Sequence, residues 1–145
     1  MEPSKKITIQ ATVDVPVSLV WKYWTTPEDI VQWNAASPDW HTLKAEINLH
    51  ENGRFSFRME AKDKSFGFDF GGTFNVVVID SHIEYTLDDN RVVEVQFLSS
   101  GDKTEVIEIF EAENENPIDL QRSGWQSILN NFKSYAETEY KRSKQ

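Results

Sequence analysis

From Leu43 to Ala112 apolar residues recur at every second position, interrupted only by short clusters of Asn, Asp, Ser and Gly. After Pro117 the spacing changes to three and four and stays there. Few folds accommodate this. A period of two marks strands with one face buried, and the short polar breaks are hairpin turns. Leu43, Ala45, Ile47 and Leu49 form one such face, and Phe55, Phe57, Met59 and Ala61 form the next across the turn Glu51-Asn52-Gly53. Phe66, Phe68, Phe70, Phe74, Val76 and Val78 share one parity across Gly71-Gly72, which predicts a long strand bent at the glycines. Ile83, Tyr85 and Leu87 make a short strand, Val93, Val95 and Phe97 another, and Thr104 to Ala112 the last.

The ends of the chain supply the helices. Ile7, Ile9, Ala11 and Val13 alternate as a first strand, after which Val17, Val20, Trp21 and Trp24 fall at helical spacing. Thr26-Pro27-Glu28-Asp29 predicts a second short helix to about Trp33, with Thr26 as its cap and Pro27 where a missing N–H does no harm. Trp125, Ile128, Leu129, Phe132, Tyr135 and Ala136 then define one amphipathic helix of about 24 residues, roughly 36 Å long. The order strand, helix, helix, six strands, long helix predicts a single α+β domain over residues 1–145: a curved seven-stranded antiparallel sheet wrapped around the C-terminal helix. One helix about 10 Å across does not fill the concave side of such a sheet, so an internal cavity is expected between them.

Composition narrows the partners. The net charge of −9 opposes binding to a phosphate backbone, so nucleic acid is not an expected partner. No apolar run approaches the roughly 18 residues of a membrane span, and the N-terminus MEPSKKITIQ enters an alternating strand without an apolar leader. Together with the absence of cysteine, this predicts a cytoplasmic protein that does not insert into membranes. His41, His50 and His82 lack a partner histidine at helical spacing, and no phosphate-binding glycine loop or nucleophile elbow is present. No metal or cofactor is therefore expected. Five Trp, four Tyr and nine Phe are the excess that asks for an explanation.

The stretches VDVPVSLVWKYWTTPEDIVQWN, ASPDWHT, GRFSFRMEAKDKSFGFDFGGTF and LQRSGWQSILNNFKSYAE resemble the SRPBCC superfamily, the START-like helix-grip fold. Within it they are similar to the branch related to the C-terminal domain of the heat-shock-protein-90 ATPase activator. The resemblance covers nearly the whole chain. It implies the fold derived above, and it brings in a chaperone as a partner alongside a small hydrophobic molecule. The activators that name the branch carry a separate N-terminal domain, which this chain is expected to lack. A monomer or weak homodimer is expected.

The candidate site residues follow from these patterns. Trp33 and Trp40, in the segment WNAASPDWHT, are expected to frame the cavity mouth with His41, plain core filling being the alternative. Asp39 and His41 stand two apart, so in extended chain they can form a carboxylate-oriented general base, or serve the turn at Ser37-Pro38 and bond backbone. Glu108 faces inward if Thr104, Val106 and Phe110 do, and outward if Ile107 and Ile109 take the inner face. The resemblance, which implies polar residues at alternate positions of this strand, favours the inward choice, with Arg58 or His41 as a conceivable partner, although Arg58 alternates against Phe57 and Met59 and so belongs outside. Gln121 falls on the buried stripe of the last helix with Trp125, where it would meet ligand, trapped water or strand backbone; Gly124 beside it suggests close packing or room for a ligand. The leading expectation is non-enzymatic binding of an apolar or aromatic molecule among Phe57, Phe68, Phe70 and Trp125. The alternatives are a chaperone cofactor and a polyketide cyclase or hydrolase using Asp39, His41 and Glu108.

Overall fold

The computed structural model describes residues 5–144; Met1–Ser4 of the N-terminal stretch, in which no leader is expected, lie outside the described residues. The elements run β1 (Lys6–Val13), α1 (Val17–Thr25), α2 (Pro27–Trp33), β2 (Trp40–Ile47), β3 (Arg54–Ala61), β4 (Gly67–Val78), β5 (His82–Leu87), β6 (Val92–Ser100), β7 (Lys103–Glu111) and α3 (Ile118–Ser143). The strands form one antiparallel sheet in the order β1-β7-β6-β5-β4-β3-β2. This is the architecture that the periodicities predict. Each strand from β2 to β7 pairs with its sequence neighbour through a short turn, and β1 closes the far edge against β7. β2 is the opposite edge strand.

α3 is held to one half of this sheet. Trp125 stacks on Phe110 of β7 with ring centroids 3.9 Å apart and planes 9° from parallel. Farther along the helix, Gln126 and Lys133 donate to the backbone carbonyls of Gln10 and Thr12 at 3.2 and 2.7 Å. The Asp14 backbone N–H donates to Glu137 at 2.8 Å. These bonds satisfy groups on the free edge of β1 that would otherwise be open to another chain. Between α3 and the sheet, Phe132 packs edge-on against Trp24 and Trp33, which brings α1 and α2 into the same core.

Four local expectations are corrected. Thr26 holds the N-cap position of α2, but its side chain makes no cap bond: the hydroxyl donates back to the Lys22 carbonyl at 2.6 Å and closes α1 instead. The register of β2 against β3 shifts between Thr42 and Lys44, which turns Thr42 inward and leaves Leu43 53% exposed. A second shift between Phe74 and Val76 reverses the face of β4 there, so Val77 packs against the core and Val78 points out. The parity of β4 thus runs through Gly71-Gly72 as far as Phe74 and breaks after it, and Phe66 lies outside the strand. A one-residue slip exchanges the two faces of a strand, which is why each shift moves a whole set of side chains.

The two glycine sites differ in what a side chain would meet. A Cβ on Gly72 would stand 2.4 Å from the Thr86 carbonyl oxygen, on the neighbouring strand, whereas one on Gly124 would meet nothing within 4 Å. Gly72→Ala is expected to lose about 2–3 kcal/mol from strand separation. Gly124→Ala should gain about 0.5–1 kcal/mol from helix propensity. Chemical denaturation of the two variants beside the parent checks both signs.

Candidate functional site

Because α3 lies along β1 and α2 lies along β2 at the opposite edge, the strands between, β3 to β5, are left without a helix directly across them. The space between is a cavity of about 290 Å³. Its floor is the inner face of the sheet: Phe55, Phe57 and Met59 of β3, Phe68, Phe70 and Phe74 of β4, and Ile83 and Tyr85 of β5. α1 and α2 contribute Trp24 and Trp33, and α3 contributes Trp125 and Ile128. Trp125 forms the roof, stacked on Phe110 to one side and meeting Phe70 edge-on at 6.2 Å on the other. Such a volume falls at the small end of the range for small-molecule sites, and apolar walls with few polar groups are their usual make-up.

Most polar side chains in the wall are already engaged. Thr25 donates to the Trp21 carbonyl at 2.8 Å. Asn34 donates to the Thr42 hydroxyl, which donates in turn to the Asn34 carbonyl at 2.7 Å. Arg91, in the β5–β6 turn, donates from Nε to Asp89 at 2.8 Å and from Nη1 to the Glu111 carbonyl at 3.4 Å. Trp33 is 5% exposed and donates its Nε1–H to the Tyr23 carbonyl at 3.0 Å.

Glu108 and Tyr85 are different. Val106 and Phe110 face inward, and Glu108 goes with them, 5% exposed and in the cavity wall. Its strand neighbours are Ile9 on β1 and Val95 on β6, so it interrupts an apolar row. Among the described residues no donor reaches its carboxyl, and burial pushes the group up to about 8. The Tyr85 hydroxyl, likewise without a hydrogen-bond partner among the described residues, is pushed well above its ordinary value by burial and then by the nearby Glu108 charge, with Arg91 acting in the opposite sense. Two polar groups, a carboxyl and a hydroxyl, therefore face an apolar hollow unengaged.

The other expected site residues fall elsewhere. Trp40 lies outside the cavity, packed against Phe66 and Phe68 at 6.1 and 5.9 Å and lining a separate surface recess with Tyr135 and Asn131. His41 sits opposite Glu60 in the β2–β3 ladder and is not in the wall. Asp39 is exposed in the preceding turn, where its backbone carbonyl accepts from the Lys62 N–H at 2.7 Å. No hydrogen bond joins Asp39 to His41 among the described residues, and neither lies in the wall with Glu108, so the three do not assemble into an acid–base set. Gln121 is pinned to the loop before α3: it accepts from the Glu113 N–H at 2.9 Å and donates to the Glu113 and Asn116 carbonyls at 3.0 and 2.8 Å. Arg58 is on the outer face, paired with Glu60 at 2.9 Å and Asp69 at 3.5 Å. Trp33, Phe57, Phe68, Phe70, Glu108 and Trp125 do meet around the cavity. Tyr85 and Arg91 were not among the candidates. Tyr85 shares the inward parity of Ile83 and Leu87, a signal that was available; Arg91 sits in a turn, where parity gives none.

The Glu108 carboxyl has a measurable consequence. In the unfolded chain it titrates near the ordinary value of about 4.3, and in the fold near 8. Between those limits the native state holds a proton that the unfolded state has lost, so stability falls as pH rises through this window. Glu108→Gln is expected to remove the loss: variant and parent keep a constant difference below about pH 4, and the variant gains a few kcal/mol relative to the parent by about pH 8. Denaturant titrations across that range measure it.

Comparison with known proteins agrees with this architecture. The family described as "Activator of Hsp90 ATPase homolog 1-like protein" matches residues 14–137. The solution structure of an AHSA1-like protein from Aeromonas hydrophila is 44% identical over 93% of this chain and 94% of that one, with a TM-score of 0.88. A protein from Cytophaga hutchinsonii is 46% identical over 94% of each chain, with a TM-score of 0.80. A protein from Nitrosomonas europaea shares the fold at 16% identity, covering 97% of this chain and 99% of that one, with a TM-score of 0.80. No curated protein matches the sequence. No helix among the described residues is long and apolar enough to cross a membrane. The chain belongs to the AHSA1-like family of the SRPBCC helix-grip fold.

Proposed function

We propose that this protein binds a small, mostly apolar molecule without transforming it, in the cavity between α3 and the β3–β5 half of the sheet. The single observation that supports the reading most is the unfilled 290 Å³ between aromatic walls. A protein interior is ordinarily close-packed, and an unfilled apolar space of this size forfeits contact energy that a ligand would restore. The reading includes a cytoplasmic setting, supported by the cysteine-free composition. Titration with a library of apolar ligands should quench or shift tryptophan fluorescence and move amide signals of Phe57, Phe70 and Trp125. Ile128→Trp, which puts an indole into the space, is expected to abolish these changes without lowering Tm. A library that leaves those signals untouched would contradict the proposal.

A second reading is a chaperone cofactor, and the family match supports it more directly than it supports a small ligand, since the matching family is described by activation of the Hsp90 ATPase. It is expected to show as a changed ATPase rate of an Hsp90-class chaperone on adding the protein, with co-purification of the two. An unchanged rate and no co-purification would set it aside.

A further inference from the structure

Glu108 has no hydrogen-bond partner among the described residues, and its carboxyl oxygens open onto the cavity. The elements around it bring one other titratable group, Tyr85 of β5, and one permanent charge, Arg91 of the β5–β6 turn. β1 and β6 present Ile9 and Val95, and the helices present Trp24, Trp33 and Trp125. Arg91 is ion-paired with Asp89 and gives a second N–H to the Glu111 carbonyl. A carboxyl kept inside for structural reasons is paired or hydrogen bonded, and this one is neither. Its free side is the cavity.

The chemistry of the interior selects among possible ligand head groups. The free polar atoms are the Glu108 carboxyl and the Tyr85 hydroxyl, and the walls around them are aromatic faces, which carry negative potential. An anionic head would meet the Glu108 carboxyl and ring faces, with the charge of the one guanidinium already balanced by Asp89. A neutral head would leave the carboxyl protonated and the ring faces unused. A cation uses both, and the net charge of −9 raises its concentration near the surface. Resting on the cavity-binding reading above, we propose that the ligand is an apolar amine whose ammonium group is held by the Glu108 carboxylate and the Tyr85 hydroxyl against the surrounding aromatic rings.

The proton balance gives the proposal its signature. The empty protein carries a proton on Glu108 below about pH 8, and the amine arrives as ammonium. Forming the ion pair releases the Glu108 proton to solvent, one for each amine bound. Affinity therefore rises with pH, by about 50-fold between about pH 6 and pH 8 when the release is complete, and levels off until the amine itself loses its charge near pH 10. A neutral ligand accepting from the protonated carboxyl would show the opposite trend.

Isothermal titration calorimetry with phenylbutylamine, phenylbutanol and phenylbutyrate on the intact protein tests this. The amine is expected to bind at least about tenfold tighter than the alcohol at pH 8, the carboxylate weakest, with about half a proton released per amine at pH 8 and about one near pH 6, read in buffers of different ionisation heat. Glu108→Gln should bring the amine to the level of the alcohol, remove the pH dependence and leave alcohol binding within about threefold; Tyr85→Phe should weaken the amine several-fold. An alcohol or carboxylate that binds as tightly as the amine, or an amine affinity that stays flat or falls as pH rises, overturns the amine proposal and leaves the cavity reading standing. If none of the three probes perturbs the cavity tryptophans, both are overturned.

Discussion

The structure depends on where α3 is fastened. Trp125 lies flat on Phe110, and the side chains of Gln126, Lys133 and Glu137 bond the outer edge of β1, so the helix sits over one end of a seven-stranded sheet. A helix so placed cannot also cover β3, β4 and β5. The sheet curls toward it, α1 and α2 close the side through the packing of Trp24 and Trp33 on Phe132, and a hollow remains under the Trp125 ring. The cavity is thus a consequence of how one helix is anchored. The aromatic excess of the sequence lines the walls that the helix does not reach.

Within that hollow a single carboxyl decides the chemistry. Glu108 takes the inner face because its neighbours two residues away, Val106 and Phe110, are fully buried, and the pleat allows it no other side. Apart from the Tyr85 hydroxyl, the remaining wall is apolar or already hydrogen bonded. A lone acidic group in an aromatic enclosure is suited to holding a molecule with one polar end. It is poorly suited to acid–base chemistry, which requires a second positioned group; Asp39 and His41 lie outside the wall.

How much of this was legible in the sequence differs from residue to residue. The strand count, the long helix and the inward aromatics of β3 follow from spacing, because a period of two or of 3.6 maps directly onto a face. The existence of a cavity followed from setting one helix against seven strands. The facing of Glu108 stayed open, since Val106 and Phe110 argue one way and Ile107 and Ile109 the other. The two register shifts left no trace, because an extra residue in a strand has no composition of its own, and Leu43, Val76 and Val78 were misplaced as a result. Trp40 and Gln121 were drawn toward the cavity by residue type. Their positions are set by contacts with Phe66 and Phe68 in one case and the loop before α3 in the other.

All of these conclusions require that the hollow be dry enough to deprive a carboxyl of its hydration. An NMR titration of the Glu108 side-chain carboxyl carbon, in protein without added ligand, measures this at the atom concerned. A midpoint near pH 8 is the predicted result. A midpoint in the ordinary carboxylate range of about 4 to 5 would mean that water solvates the group, and would contradict both the apolar cavity and the role given to Glu108 within it.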